Sequence, residues 1–182
     1  MDEGPARLTP ESGLLVPAPA AEAAVGRWRE RHDPSAPAGI PAHITLLYPF
    51  VPPGQIDAAL LADLRAFFAG VAPFPFALGR LDRFPGVLYL APEPAAPFRD
   101  LIAALSMHYP QYPPYGGKHA TIVPHLTVAH AADPAVLDAG MAAVAGALPL
   151  AAVADEAVLM EMDPAGRWHT RERFPFGRGR GA

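Results

Sequence analysis

Four side chains in this sequence have the types and spacing to move protons and hold an anion. His43 and Thr45 stand in PAHITLLYPF (41–50), and His125 and Thr127 stand in PHLTVAH (124–130), 82 residues later (125 − 43). Imidazole titrates near pH 6.5, so around neutrality one ring can take a proton while another gives one. A threonine hydroxyl beside each ring can hydrogen-bond an anion's oxygens without adding charge. This equipment suits phosphodiester transfer. One histidine would accept the proton of the attacking oxygen, the other would protonate the leaving oxygen, and the threonines would hold the non-bridging oxygens as charge builds.

Both tetrapeptides need strands to work. Aliphatic and β-branched runs of period two read as strands, and successive strand side chains point to opposite faces. His43 and Thr45 then share one face and Ile44 and Leu46 the other; His125/Thr127 and Leu126/Val128 repeat the arrangement. Further strands are expected over Gly13–Pro17, Pro75–Asp82, Gly86–Ala91, Ala151–Glu161 and Trp168–Phe176. Helical periodicity predicts helices over Ala20–His32, about Ile56–Ala69, and around Phe98, Leu101, Ile102 and Leu105. A fourth opens at Asp133-Pro134, with aspartate as cap and proline in the first turn. On the first of these, Ala21, Ala24, Val25 and Trp28 form the apolar face and Glu22, Arg27, Arg29 and Arg31 lie elsewhere.

A weak internal repeat underlies this order. Pro17-Ala18-Pro19-Ala20-Ala21 matches Pro92-Glu93-Pro94-Ala95-Ala96, and each precedes a helix and then a histidine strand. The second interval is longer, and the Tyr109–Lys118 loop can absorb the surplus. The expected fold is α+β: two duplicated β-α-β lobes with pseudo-twofold symmetry around a central cleft. They form one domain over residues 13–176, with flexible tails at 1–12 and 177–182.

Composition narrows the chemistry. The 182 residues are 51% hydrophobic and 18% charged, in the range of a compact protein. There is no cysteine, which excludes disulfides, thiolate nucleophiles and thiolate metal sites. His119 and His130 near His125 would suggest zinc, but no carboxylate or cysteine stands at ligand spacing, so no metal and no cofactor are expected. Net charge is −4, and Lys118 is the only lysine among 14 basic side chains. Long nucleic acid is therefore not an expected partner; a phosphate-bearing ligand should be small or held by a local arginine cluster. Arg167, Arg171 and Arg173 alternate on the last strand in the manner of a solvated face. The polar N-terminus has no signal core and no run reaches membrane-span length, so a cytoplasmic location is expected.

Paired H-x-T-[LV] tetrapeptides in a duplicated chain of this size resemble the two-histidine (2H) phosphoesterases, specifically bacterial proteins of the 2′-5′ RNA ligase family. The resemblance spans roughly residues 13–176. It implies metal-independent cyclic-phosphodiesterase or RNA-ligase chemistry on 2′,3′-cyclic or 2′-5′ linked nucleotide or RNA-end phosphodiesters. His43, Thr45, His125 and Thr127 match the family motif residue by residue. Members also line the cleft with aromatic and basic side chains; by position, Tyr48, Arg83, Tyr115 and Lys118 are the candidates here. A module that binds the same RNA end or cyclic nucleotide without turnover is the alternative.

Overall fold

The computed structural model describes residues 9–119 and 121–177. Of the expected tails at 1–12 and 177–182, residues 1–8 and 178–182 lie outside the described residues. Among the described residues there are eight strands, one more than expected, and four main helices: β1 (Ser12–Pro17), α1 (Glu22–His32), β2 (His43–Leu47), α2 (Ala58–Ala69), β3 (Phe74–Phe84), β4 (Val87–Glu93), α3 (Ala96–His108), β5 (Leu126–His130), α4 (Pro134–Ala145), β6 (Leu150–Ala154), β7 (Glu156–Met162) and β8 (Trp168–Pro175). Order begins ahead of residue 13: Ser12 opens β1, and the Glu11 carbonyl accepts the Met162 amide at 2.8 Å. Capping fixes two starts, of which the sequence predicts only the one at Asp133. Asp57 accepts the Leu60 amide at 2.8 Å, and Asp133 accepts the Ala135 amide at 2.9 Å beside Pro134.

The strands form two four-stranded sheets, ordered β2-β1-β7-β8 and β5-β4-β3-β6, antiparallel throughout. Rotating one order onto the other pairs β1 with β4 and β2 with β5, so the duplication inferred from the repeat is visible in the topology. The lobes are not the two halves of the chain, however. The expected single strand Ala151–Glu161 is broken at Asp155: β6 completes the second sheet on β3, and β7 crosses to the first sheet to pair with β1. The continuous small and apolar run hides this break. The helices also exchange places, α1 packing on β5 of the other sheet and α3 on β2.

The core lies between the sheets and helices. Ile44, Leu46, Leu126 and Val128 are buried within it, which commits the alternate positions of both motifs to the opposite face. Phe68 stacks on Phe174 and Phe176 at centroid distances of 5.5 and 5.7 Å, and Phe98 meets Phe74 and Phe76 at 5.0 Å each. Each such buried ring contributes about 1.5–3 kcal/mol of transfer free energy. Among the described residues no helix is long and apolar enough to cross a membrane.

Candidate active site

The two motifs line one cavity of about 360 Å³, which receives His43 and Thr45 from the first lobe and His125 and Thr127 from the second. Each imidazole is held the same way. His43 donates from Nδ1 to the Pro41 carbonyl at 2.8 Å, and His125 from Nδ1 to the Val123 carbonyl at 2.7 Å. A carbonyl only accepts, so Nδ1 carries the hydrogen in both rings and Nε2 is left for the cavity. Burial drives the His43 pKa down to about 4, against the opposing bond to Pro41 and with Arg29 adding to the decrease. Burial also lowers His125, assisted by the nearby His130. Both shifts favour the neutral ring in the free protein.

Each motif is extended by a β-bulge. Leu15 pairs with Thr45 but Leu14 with Leu47, so Leu46 is the extra residue. Tyr89 pairs with Thr127 but Leu88 with Ala129, so Val128 is the extra residue. Two consecutive side chains then face the core in each strand, Leu46 with Leu47 and Val128 with Ala129. The next residue returns to the cavity face. That residue is Tyr48 in the first lobe and His130 in the second, and both line the cavity. His130, which the sequence offers only as an unsupported metal ligand, thus belongs to the site wall. Strict alternation would have sent it to the other face, and only the bulge brings it back.

Tyr48 and Tyr115 stand on the wall as expected. The Tyr48 hydroxyl donates to the Glu11 carboxylate, and burial together with this bond raises its pKa, so the ring faces the cavity as a neutral surface. Tyr115 occupies the 3-10 turn Pro114–Gly117, in the left-handed region at φ 52°. Its amide donates to the Tyr48 carbonyl at 2.6 Å, and it lines the cavity together with Thr45. The Tyr109–Lys118 loop therefore borders the cavity.

Arg83 and Lys118 are not brought to it. Arg83 donates from Nη2 to Asp138 on α4 at 2.7 Å, and exposed Lys118 follows the Tyr115 turn without reaching the wall. Among the described residues the wall contains no arginine or lysine. Of the two alternatives, a small ligand or a local arginine cluster, the wall supplies no cluster, and hydroxyls and imidazoles are the groups available to an anion. The wall includes residues that periodicity did not single out: Leu15, Ile40, Met160 and Trp168, which form an apolar wing on the first lobe, and Asp33 and Ser35 at its edge. His125 has a different setting, edge-on to Phe84 and Tyr89 at 5.2 and 5.4 Å. Among the described residues no group of three or more His, Cys, Asp or Glu side chains is placed to hold a metal ion.

Comparison with known proteins accords with this architecture. E. coli LigT complexed with 3′-AMP is similar with a TM-score of 0.58 at 18% identity, over 91% of this chain and 97% of that one. TT0787 of Thermus thermophilus is similar with a TM-score of 0.56 at 21% identity, over 94% and 100%. At such identities the likeness speaks for the fold. No curated protein sequence matches the chain. The family model described as the 2′-5′ RNA ligase superfamily matches residues 16–166, most of the chain and both H-x-T motifs within it, so the protein belongs to that superfamily of two-histidine phosphoesterases.

Proposed function

We propose that the protein is a metal-independent phosphoesterase acting on a small nucleotide or RNA-end phosphodiester, by 2′,3′-cyclic phosphodiester hydrolysis or by 2′-5′ ligation and cleavage. The observation that carries this reading is the matched pair of imidazoles, each with Nδ1–H on a backbone carbonyl and Nε2 left for the same cavity. E. coli LigT, which shares the fold, has been crystallised with 3′-AMP, with ATP and with NADP+.

A phosphodiester monoanion between two neutral rings favours protonation of one of them. The neutral ring then takes a proton from water as its oxygen bonds to phosphorus. The protonated ring gives its proton to the ribose oxygen as the P–O bond breaks. The products are a phosphomonoester and a ribose hydroxyl, and the proton pair is restored by exchange with solvent. Thr45 and Thr127 donate to the non-bridging oxygens, whose charge rises in the transition state. With a 5′-hydroxyl in place of water the same two transfers form a 2′-5′ linkage.

Incubation of the purified protein with 2′,3′-cyclic nucleotides and with 2′-5′ linked dinucleotides, followed by product analysis, tests the proposal. Conversion to a phosphomonoester or to a ligated product is the expected result. Tight binding of these compounds without any product would establish a binding module instead.

A further inference from the structure

The carbonyl that orients His43 belongs to Pro41, in a stretch between α1 and β2 with no ladder of its own, and it must be held by something. We propose that Arg29, acting with Asp33, Ser35 and Glu22, is the positioning residue for His43, clamping the backbone on both sides of the Pro41 carbonyl. This rests on reading His43 as a catalytic residue, and deepens it.

Arg29 lies on the last turns of α1 and is only 2% exposed, although its sequence position places it off the apolar face of the helix. Its Nη2 donates to the Ile40 carbonyl at 3.1 Å and to Ser35 Oγ at 3.2 Å, and its Nε donates to Asp33 Oδ2 at 3.1 Å. Asp33, 3% exposed, accepts on Oδ1 from the Ser35 amide at 3.0 Å and the Ser35 hydroxyl at 2.8 Å. Glu22 lies 3.8 Å from Arg29 Nη1 and accepts the Ala42 amide at 2.5 Å. Residues 40 and 42 are thus tied to one ionic cluster, centred on buried Arg29 and Asp33 with Glu22 at its partly exposed rim, and residue 41 between them presents its carbonyl to His43.

A cation this buried is costly unless its charge and hydrogen bonds are satisfied, and here two carboxylates, a hydroxyl and a carbonyl satisfy it. Well-packed apolar side chains would serve stability as well, so the cluster's distinctive consequence is geometric: it fixes the direction of one carbonyl. Among the described residues, no such cluster stands behind Val123, the carbonyl partner of His125. The ionisable groups around His43 are Arg29 and Asp33 beneath it, His125 across the cavity and Tyr115 over Thr45. Arg29 disfavours the His43 imidazolium and Asp33 favours it. Removing the guanidinium leaves Asp33 facing the ring alone, so the proton affinity of His43 rises.

The test is Arg29→Met, with Ser35→Ala as the milder second variant. The readouts are long-range ¹H–¹⁵N spectra of the histidines and the pH profile of kcat/KM. In the wild type both active-site rings carry hydrogen on Nδ1 at pH 7. In the variants His43 is expected to become a mixture of tautomers while His125 keeps its pattern. The acid limb of the profile in Arg29→Met should move up by about one pH unit. Loss of alignment should lower kcat about 10- to 100-fold in Arg29→Met and several-fold in Ser35→Ala, with KM within about threefold. Unchanged His43 resonances and an unchanged acid limb in whichever variant folds would overturn the proposal. The spectra need no turnover, so a wild type without phosphoesterase activity would sink the functional reading while leaving the positioning inference to be decided by tautomer alone.

Discussion

His43 and His125 are two copies of one residue placement, and their behaviour follows from where their rings sit. Both pKa values are below the ordinary 6.5, that of His43 at about 4, with burial the leading cause in each case. A depressed histidine loses its charge at lower pH than usual. On the proposed mechanism the competent free form has one ring neutral and one protonated, so it is most populated between the two values, both of which lie below 6.5. The profile of kcat/KM should therefore be a bell with its maximum between about pH 4 and 6.5, falling about tenfold per unit on the alkaline side. The profile of kcat should peak at higher pH, because the bound phosphodiester anion favours the imidazolium. A kcat/KM maximum at pH 8 or above would contradict the assigned environments. The paired histidines were legible in the sequence because types and spacing repeat. Arg29 was not, because helical periodicity placed it off the apolar face, and only the fold of residues 33–42 back over α1 buries it.

At the scale of elements, the site depends on features that strand and helix periodicity does not encode. The bulges at Leu46 and Val128 add one residue to each strand and so place Tyr48 and His130; a bulge arises from pairing with β1 or β4, which a single-strand pattern cannot reveal. The break at Asp155 is hidden for the same reason, since β6 and β7 differ in their partners and not in their composition. The loop ahead of β2 shows the constraint most sharply. Gly39 sits at φ +109°, and a Cβ there would lie 2.5 Å from the Trp168 carbonyl oxygen. The neighbouring Ala38 carbonyl accepts the Trp168 amide at 2.7 Å, so this contact joins the loop to β8. Gly39→Ala should cost about 1–3 kcal/mol, lowering Tm by about 3–10 °C. It should also reduce activity, because the displaced loop carries Pro41. Calorimetry on the variant checks this, and a Tm equal to the wild type would mean that the loop yields freely.

For the molecule as a whole, the duplicated α+β fold and the shared cleft could be read from the repeat, whereas the composition of each lobe could not. The first lobe closes only when β7 and β8 return to β1, so the two halves of the sequence are not two halves of the structure. The sequence has no cysteine, and among the described residues no group of three or more histidine, aspartate or glutamate side chains is placed to hold a metal ion. Turnover should therefore persist at full rate after exhaustive treatment with EDTA. Loss of activity on chelation, restored by one divalent ion, would require a different mechanism.

The central claim is that two imidazoles act together on one phosphate. It is tested most directly by steady-state kinetics of His43→Ala, His125→Ala and the double variant on a 2′,3′-cyclic nucleotide, with circular dichroism to verify the fold. Both side chains project into the cavity and away from the core, so the fold should be retained. Each single variant is expected to lose about 100- to 10,000-fold in kcat. The double variant should be little worse than the poorer single one, because groups that act as a unit do not contribute additively. Near-normal turnover in either single variant, or losses that multiply in the double variant, would contradict the paired mechanism.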